Sequence, residues 1–445
     1  MTDAAFSRTV LQGATIVTCD AASRILRGDV LIEKGRITGI GKVKRPSGAR
    51  VVDVSGRIVL PGLVMAHVHL CQALMRGMAD DLPLLEWLKR RIWPLEAAHD
   101  DRSLCASAEL GLSELILAGT TAILDLGTVH GQDVVFDACV RSGMRVVGGN
   151  TLMDSGAGVP KRLRQTTKAA LSECARVQSA WGSHASGRIS YAYIPRFILS
   201  CTEKLVRESI DRAAASGARF HTHAAEHAGE RDAVRKILGA DDVDVLRRWG
   251  MRGKFASIAH GVQLTTAQMR RLAADSVAVV HCPSANLKLG SGIAKVQAMR
   301  SLGIVVGLGP DGAPCNNNLD PWVELRHAAL LSSAVSGPGA LPADQVLRMA
   351  TIDGARLLGL ERDIGSIELG KRADLIAVRT DGVHVAPAYD PVGTLVYATQ
   401  ARDVEHVYVD GRPLVRNGEL LTLDAEAIVA AAQRQGKRLM SRAKL

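Results

Sequence analysis

The chain has 445 residues, of which 47% are hydrophobic and 22% charged, a composition that is ordinary for a soluble globular protein with room for a large enzyme domain. Lysine and arginine exceed aspartate and glutamate by ten, but aromatic residues make up only 3% and basic runs are brief, so a solvated basic surface is favoured over nucleic-acid binding. No N-terminal run joins basic residues to a long apolar stretch, and the eight cysteines are scattered, so we expect no signal peptide, membrane span or disulfide and a cytoplasmic location.

Short strands open the chain and then give way to an alternation of strands and helices. Residues 8–57 alternate in hydrophobicity and are rich in Val, Ile and Thr, which predicts a small β-unit. From Gly62 onward, apolar strands alternate with amphipathic segments of helical spacing, as in residues 104–118, 200–216 and 266–274. The strands predicted after the one that carries His67 cover residues 120–125, 145–153, 188–195, 219–226, 256–262, 278–282 and 304–312.

Eight short apolar strands that alternate with helices are typical of a closed parallel barrel of the α/β class, the (β/α)8 or TIM barrel. From Arg362 onward the chain returns to β character, and it ends in a helix predicted at residues 425–442. Because the two β-rich ends flank the barrel in sequence, we expect residues 1–60 and 362–445 to combine into one small β-sandwich domain. Residues 61–361 are expected to form the barrel.

A pair of histidines closes the first predicted barrel strand, in PGLVMAHVHL at residues 61–70. His67 and His69 are two residues apart, and side chains two apart on a strand point the same way. The pair therefore suits one metal ion. While the pair is taken alone, two histidines in a core strand remain the alternative.

Further polar groups stand at the ends of other predicted strands, where a parallel barrel places its active site. These are His223 with Glu226, His260, His281 and Asp311. Three imidazoles and one carboxylate suit a divalent transition ion and leave a coordination position for water, which is typical of a catalytic site. Such an ion lowers the pKa of water to about 7, and Glu226 is placed to move the released proton toward a leaving group.

Taken together, these motifs resemble the amidohydrolase superfamily, and within it the group of S-adenosylhomocysteine, methylthioadenosine and 5'-deoxyadenosine deaminases. Guanine deaminases and s-triazine chlorohydrolases are similar as well. The matching stretches run in order over nearly the whole chain and are PGLVMAHVHL, LMRGMADDLPLLEWL, IWPLE, HTHAAE, IAHGVQLT, HCPSANLKLGSGIA and GLGPDGAPCNNNLD.

The resemblance implies one divalent metal ion, zinc with iron as the alternative, held by His67, His69, His223 and Asp311. It implies that Glu226 and His260 carry out proton transfer and polarisation. It also places the ligand of HTHAAE three residues before the glutamate, which selects His223 over His221. His281 is expected to pack beside the site rather than to bind the metal.

The resemblance also implies substrate contacts. Glu96 in WPLE matches a glutamate that accepts hydrogen bonds from ribose hydroxyls, and Trp93 of the same loop is a candidate to cover the site. Arg196 follows the fourth strand, where the group carries a histidine or arginine that faces the purine. Asn150 stands where relatives that take S-adenosylhomocysteine have an arginine, which favours 5'-deoxyadenosine, methylthioadenosine or adenosine as substrate. Arg162 is a candidate to compensate.

The function that follows is a metal-dependent hydrolytic deaminase, which releases ammonia and the inosine analogue from a 5'-modified adenosine. Two alternatives stay open: the same chemistry on guanine, a pterin or an s-triazine, and a barrel that binds a metabolite without catalysis. We expect a small-molecule partner, no nucleic acid, no membrane and, by default, a homo-oligomer. Zinc deaminases of polynucleotides carry H-x-E and P-C-x-x-C motifs, and neither occurs in this chain.

Overall fold

The structure is a computed structural model that describes residues 8–182 and 184–445. In chain order its strands are β1 (Arg8–Val17), β2 (Ile25–Glu33), β3 (Arg36–Gly41), β4 (Arg50–Asp53), β5 (Arg57–Pro61), β6 (Leu63–Val68), β7 (Thr120–Asp125), β8 (Arg145–Gly148), β9 (Thr151–Leu152), β10 (Ile189–Pro195), β11 (Arg219–Ala224), β12 (Ala256–His260), β13 (Ala278–His281), β14 (Val306–Leu308), β15 (Leu375–Arg379), β16 (Val404–Val409), β17 (Arg412–Arg416) and β18 (Glu419–Leu420).

The helices fill the connections between the barrel strands and follow the last of them. The α-helices are Leu84–Trp87, Trp93–Ala97, Asp101–Leu117, Gln132–Ser142, Thr167–Trp181, His184–Gly187, Glu203–Ser216, Ala228–Leu238, Asp242–Arg248, Thr266–Ala274, Pro283–Lys288, Val296–Ser301, Ala313–Asn316, Pro321–Ser336, Ala343–Met349, Ile352–Leu358, Pro391–Tyr397 and Ala425–Ala443. A π-helical turn, Leu88–Ile92, joins the first two. Within the described ranges, no helix combines the length and the apolarity needed to cross a bilayer.

Eight parallel strands close into a barrel, which confirms the predicted TIM-barrel fold. In hydrogen-bonded order they are β11, β12, β13, β14, β6, β7, β8 and β10, and β10 pairs in turn with β11. Strands β6 and β7 are buried at every position, because helices cover the outside of a parallel barrel while side chains fill its inside. The polar residues at the carboxyl ends of these strands therefore meet at one edge.

Two of the predicted strands are much shorter than the sequence indicated, and four others begin or end one or two residues inside their predicted bounds. The segment 145–153 is interrupted after Gly148, so that Asn150 lies between β8 and β9. A Cβ at Gly149 would lie 2.0 Å from the carbonyl oxygen of Ala192, so the backbone approaches β10 closely at this point. Of the segment 304–312, only Val306–Leu308 is a strand, and Asp311 then forms an isolated bridge with Val68.

The two ends of the chain combine, as predicted, into one mixed sheet beside the barrel. Its nine strands follow the order β18-β17-β16-β15-β5-β1-β2-β3, with β4 beside β1. Strand β5 pairs in parallel with β1 and antiparallel with β15, so strands from both ends of the chain meet at its centre. The division of the chain at residues 60/61 and 361/362 stays a prediction.

Arg145 joins the barrel to this sheet. It opens β8, and its side chain is 2% exposed. Its Nε and Nη2 donate to the two carboxylate oxygens of Asp374 at 2.9 and 3.2 Å, and Nη2 also lies 2.8 Å from Oδ1 of Asp410. Buried ion pairs of this kind specify geometry more than they add net stability, so the network fixes how the barrel meets the sheet.

Helix starts follow side-chain caps. Asp100 accepts a hydrogen bond from the backbone of Ser103, and Thr202 accepts one from Leu205. A cap of this kind satisfies a backbone donor that has no partner within the helix. It explains why the helix predicted to start at residue 104 begins at Asp101 instead.

Candidate metal centre and active site

The four predicted metal ligands converge at the carboxyl edge of the barrel. His67 belongs to β6 and His69 follows it, His223 lies on β11, and Asp311 lies three residues past β14. One nitrogen of each histidine and one oxygen of Asp311 all lie within 4.8 Å of one another. The Nε2 atoms of His67 and His69 are 3.3 and 3.2 Å from Oδ1 of Asp311, and those of His69 and His223 are 3.3 Å apart.

Hydrogen bonds behind the cluster orient two of its imidazoles. Nδ1 of His223 donates to the carbonyl oxygen of Arg196 at 2.7 Å, which leaves the lone pair of Nε2 facing the cluster. Nδ1 of His67 lies 2.9 Å from Nε2 of His221, whose own Nδ1 lies 2.8 Å from Oγ of Ser257. When Nδ1 of His67 donates to His221 and Nδ1 of His221 donates to Ser257, Nε2 of His67 also presents a lone pair to the cluster.

This set of donor atoms fits a divalent cation. Nε2 of His67 is buried and has no hydrogen-bond partner among the described residues, while the lone pair of His223 faces a second nitrogen. Burial lowers the pKa of His67 to about 4 and lowers that of His223 well below its usual range, so both imidazoles are neutral at pH 7 and free to ligate. Three imidazole nitrogens and one carboxylate are donors that zinc and iron accept.

The backbone at the site adopts conformations that L-residues rarely take. The φ angle is 63° at Asp311, 76° at His260 and 53° at Ala225. Strain of this kind persists at functional sites where the surrounding structure over-determines it. Gly309 allows the turn toward Asp311, since a Cβ there would lie 2.6 Å from the carbonyl oxygen of His67. Burial raises the pKa of Asp311, yet His67 and His69 hold that pKa well below its usual range.

Glu226 and His260 lie directly beside the cluster. Nε2 of His260 is 3.4 Å from Oε2 of Glu226 and 3.9 Å from Oδ2 of Asp311. Nδ1 of His260 lies 2.9 Å from Oδ1 of Asn286, which fixes the plane of the ring. Burial and the nearby Asp311 raise the pKa of Glu226 well above its usual range, so this carboxyl is able to hold a proton near neutral pH and to give it up to a bound group.

A narrow cavity leads to these residues. Its walls are apolar and come from Leu84, Trp87, Leu88, Phe197 and Leu289, while the site residues and Arg196 form its polar part. Its volume of about 20 Å³ is room for roughly one water molecule. Three of the five wall residues, Leu84, Trp87 and Leu88, belong to the helical segment that follows the first barrel strand.

Glu96 and Arg196 are brought together as a buried ion pair. Nη1 of Arg196 lies 2.7 and 2.9 Å from the two carboxylate oxygens of Glu96, and Gln72 donates to the same carboxylate at 2.7 Å. The two side chains are 4% and 6% exposed. Arg196 lines the cavity over the metal centre, whereas Glu96 lines a second small cavity together with Arg162. The pair therefore separates the two cavities.

Asn150 and Trp93 are buried and lie outside the lining of this cavity among the described residues. Oδ1 of Asn150 accepts a hydrogen bond from the hydroxyl of Tyr191 at 3.1 Å. Trp93 packs against Phe197, with ring centroids 6.3 Å apart. Neither lines the cavity among the residues that the structure describes, so their roles as substrate contacts stay predictions.

Sequence reasoning missed residues that act through their neighbours. His221 supports the ring of His67, and Asn286 supports that of His260. The spacing of HTHAAE contained a signal for the first, because residues two apart on β11 share one face of the strand. His281 is buried outside the four-ligand cluster, and its burial lowers its pKa to about 3.

Comparison with known proteins gives this site a context. The chain matches the model of the amidohydrolase family over residues 58–414. It is 38% identical to a 5-methylthioadenosine/S-adenosylhomocysteine deaminase of Halobacterium salinarum, over 94% of this chain and 95% of that protein. It is 36% identical to a 5'-deoxyadenosine deaminase of Methanosarcina acetivorans, over 98% of this chain and 99% of that protein.

Solved structures share the fold over almost the whole chain. An adenosine deaminase from Xanthomonas campestris with bound zinc superimposes with a TM-score of 0.90 at 29% identity, covering 97% of this chain and 98% of that one. An atrazine chlorohydrolase from Arthrobacter aurescens, complexed with zinc, gives a TM-score of 0.90 at 26% identity, covering 96% and 100%. With a family match that spans most of its length and relatives that align end to end, the chain belongs to the amidohydrolase family.

Proposed function

We propose that this protein is a metal-dependent hydrolytic deaminase that removes the exocyclic amino group from the adenine ring of a 5'-modified adenosine. The observation that carries the proposal is the placement of Glu226 and His260 beside a buried cluster of three imidazoles and one carboxylate. Relatives named for methylthioadenosine, S-adenosylhomocysteine and 5'-deoxyadenosine support the substrate class. The products are ammonia and the corresponding inosine analogue.

In this proposal His67, His69, His223 and Asp311 hold one divalent ion, for which zinc is the first choice and iron the second. When bound, such an ion lowers the pKa of water and so supplies a nucleophile at neutral pH. The zinc in the solved adenosine deaminase supports the choice of metal.

Glu226 and His260 are the groups that handle protons and charge. The raised pKa of Glu226 lets its carboxyl protonate a ring nitrogen of the adenine as carbon C6 is attacked. The carboxylate that remains takes the proton released by the attacking water and passes it to the departing amine, so that ammonia leaves. His260, with its ring fixed by Asn286, contacts the developing oxyanion at C6 from the side of Asp311.

Glu96 and Arg196 are proposed to recognise the rest of the nucleoside. Three hydrogen bonds from Arg196 and Gln72 already reach the Glu96 carboxylate, and a carboxylate offers about four lone-pair sites. One further acceptor site on the Glu96 carboxylate therefore remains for a ribose hydroxyl. Arg196 lines the cavity over the metal centre and Glu96 lines the neighbouring cavity, so in this proposal Arg196 contacts the purine and Glu96 contacts the sugar.

Replacing Glu96 with glutamine is expected to lower kcat/KM for 5'-deoxyadenosine, methylthioadenosine and adenosine by about ten- to a hundredfold, because a hydrogen bond to a charged acceptor contributes about 1.5–3 kcal/mol. Steady-state ammonia release from the three nucleosides measures the effect. Glutamine is preferred to alanine, since alanine would leave the buried Arg196 without a partner and cost stability.

The rival substrates are guanine, a pterin or an s-triazine. The atrazine chlorohydrolase of the same fold supports the s-triazine as an alternative. These ligands carry no ribose, so E96Q would leave their turnover nearly unchanged. Turnover of guanine or a triazine that exceeds that of all three nucleosides would overturn the substrate assignment while leaving the metal-dependent chemistry in place.

His221 is expected to act on the metal through His67. Replacing His221 with alanine removes the bond to Nδ1 of His67 and should weaken metal affinity by about 10–100-fold, the usual cost of losing a partner behind a ligating histidine. Competition with a fluorescent zinc chelator measures the affinity. The matched control is His327→Ala, a histidine outside the cluster, which should bind metal as the unmodified protein does; equal losses in both variants would contradict the role of His221.

We further propose that the protein works in the cytoplasm, as a homo-oligomer, on a small-molecule substrate. The scattered free cysteines support the location, because reduced thiols are typical of that compartment.

A further inference from the structure

A large basic crevice lies at the other end of the barrel from the metal centre. Its volume is about 950 Å³, whereas the cavity over the metal centre has about 20 Å³. Arg188, on its wall, directly precedes β10, and Gly143 lies two residues before β8. Both lie at the amino ends of the barrel strands, whereas the proposed catalytic residues lie at the carboxyl ends. The crevice is therefore separate from the site described above.

Cationic side chains dominate the crevice. Six of the described residues that line it are basic, and Asp410 is the single acidic one; the basic residues are Lys34, Arg36, Arg188, Arg372, Arg412 and Arg416. Asp410 is already shared: its Oδ1 lies 2.8 Å from Arg145 and 2.8 Å from Arg372, and its Oδ2 lies 3.9 Å from Arg188. Its negative charge is thus fully engaged.

Other carboxylates neutralise the remaining cations only in part. Asp363 lies 3.8 Å from Arg36 and 3.3 Å from Arg372, so one carboxylate serves two guanidinium groups. Glu419 is opposite Arg416 in the pairing of β17 with β18 but makes no ion pair with it. Within the part of the chain that the structure describes, no carboxylate comes within ion-pair distance of Lys34, Arg412 or Arg416.

The deepest cation of the crevice lacks a partner for one of its donors. The side chain of Arg188 is 18% exposed, and its Nε is buried without a hydrogen-bond partner among the described residues. Burial lowers the pKa of Arg188, and the nearby Arg145 and Arg412 lower it further while Asp410 opposes them. Positive potential therefore accumulates around Arg188.

The backbone that carries these cations is held in place. The turn between β16 and β17 is bonded to Ala373, whose own amide donates to the carbonyl oxygen of Gly35 at 2.9 Å. Gly411 donates to the carbonyl oxygen of Ala373 at 3.0 Å, and Asp410 donates to Asp374 at 2.8 Å. Lys34 and Arg412 thus project from two turns that are hydrogen-bonded to the same segment, so a ligand does not have to order their backbone.

We infer that this crevice binds a small anion with at least two phosphate groups, either a nucleotide or an inorganic polyphosphate. Guanidinium forks match phosphate oxygens in bidentate geometry, and the five arginines and one lysine of the crevice need more than one negative charge to balance them. The volume of the crevice lies within the range of about 300–1,000 Å³ that is usual for small-molecule sites. The ligand would bridge Arg188 of the barrel and Arg412 and Arg416 of the terminal sheet.

The test is isothermal titration calorimetry of the intact protein with tripolyphosphate and with ATP, at constant ionic strength. Binding is expected for the unmodified protein, and the double variant R412Q/R416Q should weaken it by about tenfold or more, which corresponds to about 1.4 kcal/mol or more. A stronger response to ATP than to tripolyphosphate identifies a nucleotide as the ligand, and an equal response identifies the phosphate chain. Thermal unfolding should show a matching rise in Tm with ligand concentration.

The matched control is K204Q/K236Q, which also removes two positive charges, from exposed helix positions outside the crevice. It should bind as the unmodified protein does. If both double variants weakened binding equally, the effect would come from the net charge of the chain and the inference would be overturned. An absence of binding by the unmodified protein would overturn it as well. If R412Q/R416Q does not fold, the exposed single change R412Q serves instead, with an expected weakening of about threefold.

Discussion

Replacing Glu226 with glutamine is expected to lower kcat by about 10²–10⁴-fold, the usual contribution of a positioned general acid or base, while the bound metal stays in place. Glutamine keeps the size and polarity of the side chain but neither releases nor accepts a proton at neutral pH. Glu226 lies next to His260 and outside the four-ligand cluster, so metal content measured by atomic absorption should be unchanged. Single-turnover ammonia release separates the chemical step from binding.

The control for this change is Glu324→Gln, which alters another buried carboxyl. Glu324 accepts hydrogen bonds from Ser284 and Asn316, and burial raises its pKa to about 7; glutamine keeps the size of the side chain and one of its two acceptors. We expect E324Q to keep at least about a tenth of the activity, since it transfers no proton to substrate. An E226Q enzyme with full metal content and more than a tenth of the original kcat would contradict the assigned role.

Removing the metal is expected to abolish activity while the barrel stays folded. A site without its ion loses the means of generating a nucleophile at neutral pH, so turnover should fall by about a hundredfold or more. The fold should survive because the ligands stand at the edge of a barrel whose strands are buried along their length. Dialysis against a chelator, followed by ammonia assays and far-UV circular dichroism, measures both quantities, and added zinc should restore the rate.

The same experiment distinguishes a catalytic ion from a structural one. If the ion were structural, its removal would abolish the cooperative unfolding transition, because the free energy of metal binding would then be part of the free energy of folding. Removal of a catalytic ion should lower Tm only by the amount that its binding had contributed. Full activity in protein shown by elemental analysis to be free of metal would overturn the proposed mechanism altogether.

Most of the fold was predictable from sequence. The strands of a parallel barrel are short, apolar and separated by helical segments, and this periodicity placed β7 at residues 120–125 without error. The caps at Asp100 and Thr202 lay outside the hydrophobic pattern, so helix starts were less accurate than strand positions. A side-chain cap is formed by a single residue, and one residue is a weaker sequence signal than a repeated hydrophobic pattern.

The side chains of HTHAAE show where pattern reasoning ends. His221 and His223 both point into the barrel because they are two residues apart on β11, and alternation therefore cannot separate them. Only the stagger of neighbouring strands puts His223 in the layer of the ligands and His221 one layer below, against His67. The same holds for Glu96 and Arg196, which are distant in sequence and meet only when the loop folds over the barrel.

The amino-acid sequence by itself determined the barrel, the pairing of the two chain ends in one sheet, and which residues reach the carboxyl edge, because strand periodicity and chain order fix which side chains a closed parallel sheet presents there. Tertiary structure alone decided the rest: the hydrogen bonds that orient each imidazole, the ion pair that divides the two cavities, and the basic crevice at the far end. These depend on distances between residues that are remote in the chain, and no local pattern encodes such distances.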